Sequence, residues 1–235
     1  MTEKSNPLSF HYSVIRSKRK TVTVSVNPVK GVIVRVPKNY RMDSIIKMLK
    51  QHEMKIVQTL EKTVLHPQGF EHGDQISYLG SHLTIAHQKS FEHHVPIVNI
   101  EGERLVIKGT LINRDEMIKA IEEWLLTEAI KILTERSEHL MDRLDVKPSK
   151  ISFRSQKTRW GSCSSKGSIS LNWKLVFAPL DVIDYVIIHE FCHLFHMNHS
   201  KQFWEKVASF DSSFKEHRSW LKRNAHLVYW PLSKR

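Results

Sequence analysis

His189 and His193 stand four residues apart, with Glu190 directly after the first, in the run His189-Glu190-Phe191-Cys192-His193. Around them Val182, Ile183, Val186, Ile187 and Leu194 recur at helical spacing. On a helix, residues i and i+4 share a face, with Cβ atoms about 5–6 Å apart. Two imidazoles at that separation can bind one Zn²⁺ at about 2.0–2.1 Å each. Glu190 then projects beside the metal, where a carboxylate can hold a water and take its proton. The chemistry such a trio performs is metal-assisted hydrolysis. The ion lowers the pKa of its water towards about 7 and polarises the carbonyl, while Glu190 passes the proton to the leaving amine. Fifteen histidines in 235 residues bring the motif alone within reach of chance, so its helical context carries part of the weight.

A catalytic zinc takes three protein ligands and keeps a position open for water. On a continuing helix, His196 would lie about 10 Å along the axis from His189, too far for one small ion. His199 reaches back if the chain leaves the helix before it, and Asn198 tolerates the left-handed conformation that stops helices. Ser200 can then cap the next helix. The spacing therefore favours His199, with His196 or a distant acid such as Glu205 as alternatives. An oxyanion also needs a cationic or hydroxyl partner. Tyr185, Arg159, His226 and Tyr229 all suit, and the sequence does not choose among them. Cys192 points well away from the two histidines, by at least about 60° at 3.6 residues per turn, and reads as a small core residue. Cys163, Trp160 and Trp173 also read first as packing.

The site needs a helix after Pro179, running to about Phe195. Before it, Ile151 to Ser164 and Ser168 to Leu175 read as a hairpin turning at Lys166-Gly167. Arg114 to about Leu144 is one long helical pattern without Gly or Pro, and shorter helices start at Ser200 and near Asp211 or Ser212. Towards the N-terminus, Thr21 to Val26 alternates with period two, Asn27-Pro28-Val29-Lys30-Gly31 supplies turn chemistry, and Val32 to Val36 follows. Ile45, Ile46, Leu49, Ile56, Val57 and Leu60 predict a helix over about 43–62. Four short strands are expected at Ile76 to Leu79, Leu83 to Ala86, Pro96 to Ile100 and Leu105 to Lys108. The organisation expected is a β-rich N-terminal part over 1–110 with one helix, then an α+β part over 111–235 holding the motif.

Apolar residues make up 40% and charged residues 26%, the profile of a soluble globular chain. No apolar run is long enough to span a membrane, and the first residues lack a secretory h-region, so no membrane partner and a cytoplasmic address are expected. Two cysteines, Cys163 and Cys192, exclude a disulfide framework. The net charge is +12, and Arg16, Lys18, Arg19, Lys20, Lys30, Arg35, Lys38 and Arg41 follow one another with no acid between. Such a stripe is either a solvated face or a contact for nucleic acid or another polyanion.

Arg159-Trp160-Gly161-Ser162-Cys163-Ser164, Leu171-Asn172-Trp173, Val182-Ile183-Asp184-Tyr185-Val186, His189-Glu190-Phe191-Cys192-His193, Asn198-His199-Ser200 and Phe203-Trp204 together resemble the YgjP-like family. These are zincin-type metal-dependent hydrolases related to the SprT-like proteases. Arg16-Ser17-Lys18-Arg19 and the strand ending at Val36-Pro37 extend the resemblance weakly into the N-terminal part. What it implies is a minimal zincin-like fold, a small sheet packed on an active-site helix, and a zinc-dependent hydrolase, first of all a metallopeptidase acting on a protein or peptide substrate; the alternatives are a metal-dependent hydrolase of a non-peptide amide and a zinc-containing nucleic-acid or protein adaptor without turnover. It implies His189, His193 and His199 as ligands and Glu190 as general base. By the same analogy, the strand around Arg159 to Ser164 is the edge to which an extended substrate adds. One departure stands out: the related metzincins turn the chain with a Gly three residues after the second histidine, where this chain has His196.

Overall fold

Alternating valines build the first sheet. In the computed structural model, which describes residues 8–27, 31–64, 71–91, 95–110, 113–156, 158–225 and 227, β2 (Thr23–Asn27) runs antiparallel to β3 (Gly31–Pro37) with Val24 opposite Val34. The turn residues Pro28, Val29 and Lys30 lie outside the described residues. A further strand, β1 (Tyr12–Ser17), outside the two segments named from the sequence, lies parallel on the other side of β3. Only Tyr12 and Val14 of β1 pack against the core, which leaves too short an apolar alternation to read. The one helix expected over 43–62 is two, α1 (Met42–Gln51) and α2 (Glu53–Val64). The break falls at His52, whose N–H donates to the carbonyls of Met48 and Leu49. Val32, Val34, Val36, Ile45, Leu49 and Ile56 form the core of this unit.

The second unit opens with β4 (Gln75–Tyr78), β5 (Ser81–Lys89), β6 (Ile97–Glu101) and β7 (Arg104–Gly109), in the order β4-β5-β7-β6. Then comes α3 (Arg114–Leu144), opened by an Asn113/Glu116 capping box and closed by Asp145 in the left-handed region at φ 50°. Its buried stripe Met117, Ile121, Leu125, Ala129, Leu133, Leu140 and Leu144 advances by four or seven, as a helix with one apolar face requires. Tyr78 stacks on Trp124 and donates to Glu128, joining the four-stranded sheet to α3. The described residues up to 64 form one compact unit and those from 71 to 227 another. The compositional change near residue 110 coincides with the start of α3, inside that second unit.

A second sheet follows: β8 (Lys150–Arg154), β9 (Gly161–Cys163) and β10 (Ser168–Asn172), in the order β8-β10-β9. This differs from the simple hairpin expected. The stretch from Ile151 to Ser164 breaks into two strands, and β10 lies between them, parallel to β8 and antiparallel to β9. A buried 3-10 turn (Trp173–Phe177) leads to α4 (Leu180–Cys192), then α5 (Lys201–Phe210) and α6 (Phe214–Arg223). β9 and β10 pack on α4. The fold class is α+β, a small sheet on the helix that carries His189-Glu190-Phe191-Cys192-His193, after a strand-rich N-terminal part. Among the described residues, no helix is long and apolar enough to cross a membrane.

Candidate metal centre

α4 is apolar almost all round, and Val182, Ile183, Val186, Ile187 and Phe191 bury it against α3 and the sheet. Arg136 of α3 grips Asp184 with a two-pronged pair, one Nε–Oδ1 bond of 2.7 Å and a second through the terminal nitrogen. The helix ends at Cys192 rather than near Phe195. Bonds back three residues tighten the chain just past its end: Leu194 N–H donates to the Phe191 carbonyl at 2.9 Å, and Phe195 N–H to the Cys192 carbonyl at 3.1 Å. No residue from 193 to 200 has a positive φ, so neither Gly nor a left-handed Asn198 makes the turn. Ser200 then caps α5 by accepting from Phe203 N–H.

That early stop brings three rings together. The ligating atoms of His189, His193 and His199 all lie within 4.8 Å of one another. His189 Nε2 and His199 Nε2 are 3.1 Å apart, close to the roughly 3.3 Å that two imidazoles tetrahedral about one zinc would show at about 2.05 Å each. His193 Nδ1 lies 3.0 Å from the His196 carbonyl; donating that proton leaves its Nε2 lone pair free. His196 thus contributes its backbone, and its imidazole is not in the cluster. Glu205, the acidic alternative, pairs instead with Lys201 on α5. Burial, and after it the positive charge of His193, His199 and Arg218, pushes His189 down to about 3, and burial lowers His199 as well; both shifts favour the neutral ring, which keeps one nitrogen lone pair for a metal. Three imidazoles are a donor set suited to a divalent transition metal such as zinc.

Phe203, completely buried, touches all three rings: it stacks on His193 at 4.6 Å and meets His189 and His199 edge-on at 4.9 and 4.8 Å. Trp204 stacks on His199 from the next position, at 5.5 Å. The start of α5 is therefore the floor of the cluster. In the sequence Phe203 and Trp204 carried only a resemblance.

Glu190 is 6% exposed, and burial pushes its carboxyl up to about 8 against the opposing pull of Arg159. It sits against the backbone of β9. A Cβ on Gly161 would fall 2.6 Å from Glu190 Oε1 and 2.7 Å from its Cγ, so only glycine leaves the carboxylate its place. Asn172 holds this arrangement. Fully buried, its side chain donates to the carbonyls of Gln156 and Arg159 at 2.8 and 3.0 Å and accepts from Lys174 N–H. Its own N–H donates to Trp160. Gly161 and Asn172 escaped sequence reasoning as site residues, although both lie in segments that signalled the family.

β9 contributes Gly161, Ser162 and Cys163 to one wall of an open cleft of about 250 Å³, which the three histidines, Glu190 and Met197 also line. Of the oxyanion candidates, Tyr185 is buried between the rings of His189 and His217, and burial raises it to about 12. Arg159 is exposed, with its charge felt at Glu190. His226 and Tyr229 lie outside the described residues. Cys192 is buried in the core, and so is Trp173, while Trp160 packs against it.

The family model described as the YgjP-like metallopeptidase domain matches residues 20–224. The chain belongs to this family. The match spans parts of both units, so β2 and β3 of the N-terminal sheet fall within it as well as the histidine cluster, while β1 precedes it. No curated protein matches the chain. Two solved structures resemble parts of it. One is the metallopeptidase zymogen of Pyrococcus abyssi abylysin, 24% identical at a TM-score of 0.36, over 39% of this chain and 93% of that one. The other is the metallopeptidase zymogen of Methanocaldococcus jannaschii jannalysin, 19% identical at a TM-score of 0.36, over 40% of this chain and 96% of that one. Family membership makes the chain a metallopeptidase-domain protein, and the histidine cluster lies within the matched residues.

Proposed function

We propose that this protein is a zinc-dependent peptidase in which His189, His193 and His199 hold the metal and Glu190 is the general base. The observation that carries the reading is the convergence of three imidazoles, their ligating atoms within 4.8 Å, on a cleft that also exposes a buried carboxylate. When bound there, zinc supplies a Lewis acid that polarises the scissile carbonyl and makes water a stronger nucleophile. Glu190 takes the proton of the attacking water and hands it to the leaving amine. Gly161 keeps Glu190 at that spot by leaving room for it.

The substrate is an extended peptide added to the free edge of β9. In this sheet β9 is an outer strand, bonded on one side to β10. Asn172 N–H donates to Trp160 and Ser164 N–H to Ser168, so even-numbered residues face β10. By the alternation of an antiparallel ladder, Gly161 and Cys163 turn their N–H and C=O towards the cleft, where an incoming strand can pair with them.

Zinc content and turnover of a peptide pool, measured on wild type and Glu190→Gln, test the reading. About one Zn²⁺ per chain is expected in both, with turnover in the variant lower by about 10²-fold or more. Zinc retained with no turnover by either form would make the site a structural one.

A further inference from the structure

We propose that the cleft selects a peptide carrying a carboxylate, gripped by Arg159 on the β9 side and Arg218 on the α6 side. The peptidase reading says which molecule enters; the recognition itself needs only a peptide in the cleft. Arg159 is exposed and lies two residues before Gly161, where an added Cβ would fall 2.6 Å from Glu190 Oε1. Arg218 is exposed too, its guanidinium 4.8 Å over the Trp204 ring, which in turn stacks on His199. Its charge is felt at His189, His199 and Tyr185, and that of Arg159 at Glu190. Arg218 thus stands over the ring that backs His199, and Arg159 just before the strand that walls the cleft.

Among the described residues, no ion pair joins Arg159 or Arg218 to an Asp or Glu, although Arg136 is paired with Asp184. The nearby acids are already engaged: Asp181 and Asp211 hold His217, and Glu205 pairs with Lys201. Each guanidinium thus keeps its side-chain donors for a ligand, in the fork geometry that fits a carboxylate. Stacking on Trp204 holds the Arg218 fork in place, which reduces the entropy lost when it binds. The cleft wall itself adds Gly161, Ser162, Cys163 and Met197, all uncharged, so Glu190 is the one acid there to repel such a ligand. The carboxylate can belong to an Asp or Glu side chain or to the substrate's C-terminus.

Zinc-loaded Glu190→Gln protein binds without cutting, so fluorescence anisotropy with labelled peptides in matched pairs reads recognition directly. One pair differs by Glu against Gln, the other by a free against an amidated C-terminus. At least one acidic member is expected to bind about tenfold more tightly than its neutral twin, as a charge-assisted bond allows. The pair that shows the difference identifies the source. The preference should shrink towards about 1 M salt, where charges a few ångströms apart are screened. Arg159→Met and Arg218→Met should each reduce it, while Arg218→Lys keeps part. Equal binding within both pairs at low salt, or a preference untouched by either methionine variant, overturns the proposal. Wild-type turnover of the same peptides separates the two readings. Acid preference without turnover sinks hydrolysis alone, and turnover without preference sinks this inference alone.

Discussion

Glu190 pairs a function with a cost. An unfolded glutamate ionises near pH 4.5, whereas burial holds the folded Glu190 protonated up to about 8. Between those values the folded chain binds the extra proton, so metal-free protein loses stability as pH rises through that window. His189 acts oppositely: pushed down from 6.5 to about 3, it enters the fold neutral, and stability is lost as pH falls through that range. Chelator-treated Glu190→Gln should therefore gain on wild type from about pH 4.5 to 8, by up to about 1.4 kcal/mol per unit. Urea midpoints across pH measure this, and a flat difference would mean that the carboxyl is solvated. A second residue-level prediction separates His199 from His196. His199→Ala should lose zinc to a competing chelator, whereas His196→Ala, which keeps the carbonyl that orients His193, should hold it within about 10-fold. Spacing along one helix made His189, Glu190 and His193 legible in the sequence. The part played by the His196 carbonyl was not, because it depends on where α4 stops.

Between elements, the decisive contact is β9 against α4. Gly161→Ala would drive a methyl group into Glu190, so we expect a stability loss of about 1–3 kcal/mol and a larger loss of turnover, with zinc retained. Zinc lost along with turnover would mean that α4 itself had shifted. Asn172→Ala leaves the Gln156 and Arg159 carbonyls and the Lys174 N–H without their partner and should cost about 1–3 kcal/mol or more, read as a lowered denaturation midpoint. The long α3 and the helices of the metal half could be read because their apolar faces repeat every three or four residues over many turns. The order β8-β10-β9 could not, since β9 follows β8 in the chain yet pairs only with β10, and nothing local marks which strand becomes the centre. Two consequences were hidden with it: β9 is an edge, and Gly161 faces the carboxylate.

For the whole molecule, the net charge of +12 needs a use or a tolerance. Part of the N-terminal stripe is spent internally. Arg16 donates to the carbonyls of Lys38 and Tyr40, Arg35 to Ser25, and Arg19 to Thr21. Nucleic acid bound at about 50 mM salt and released steeply as salt rises would assign the remainder to a polyanion; no binding at about 50 mM makes it a solvated face. The central claim is one zinc per chain at one place. It is tested most directly by anomalous diffraction at the zinc edge from crystals of the zinc-loaded protein. The account predicts a single strong peak about 2.0–2.1 Å from one nitrogen each of His189, His193 and His199, with Glu190 beside it and not ligating. A peak held by His196, by Glu205 or anywhere outside this cleft would contradict it.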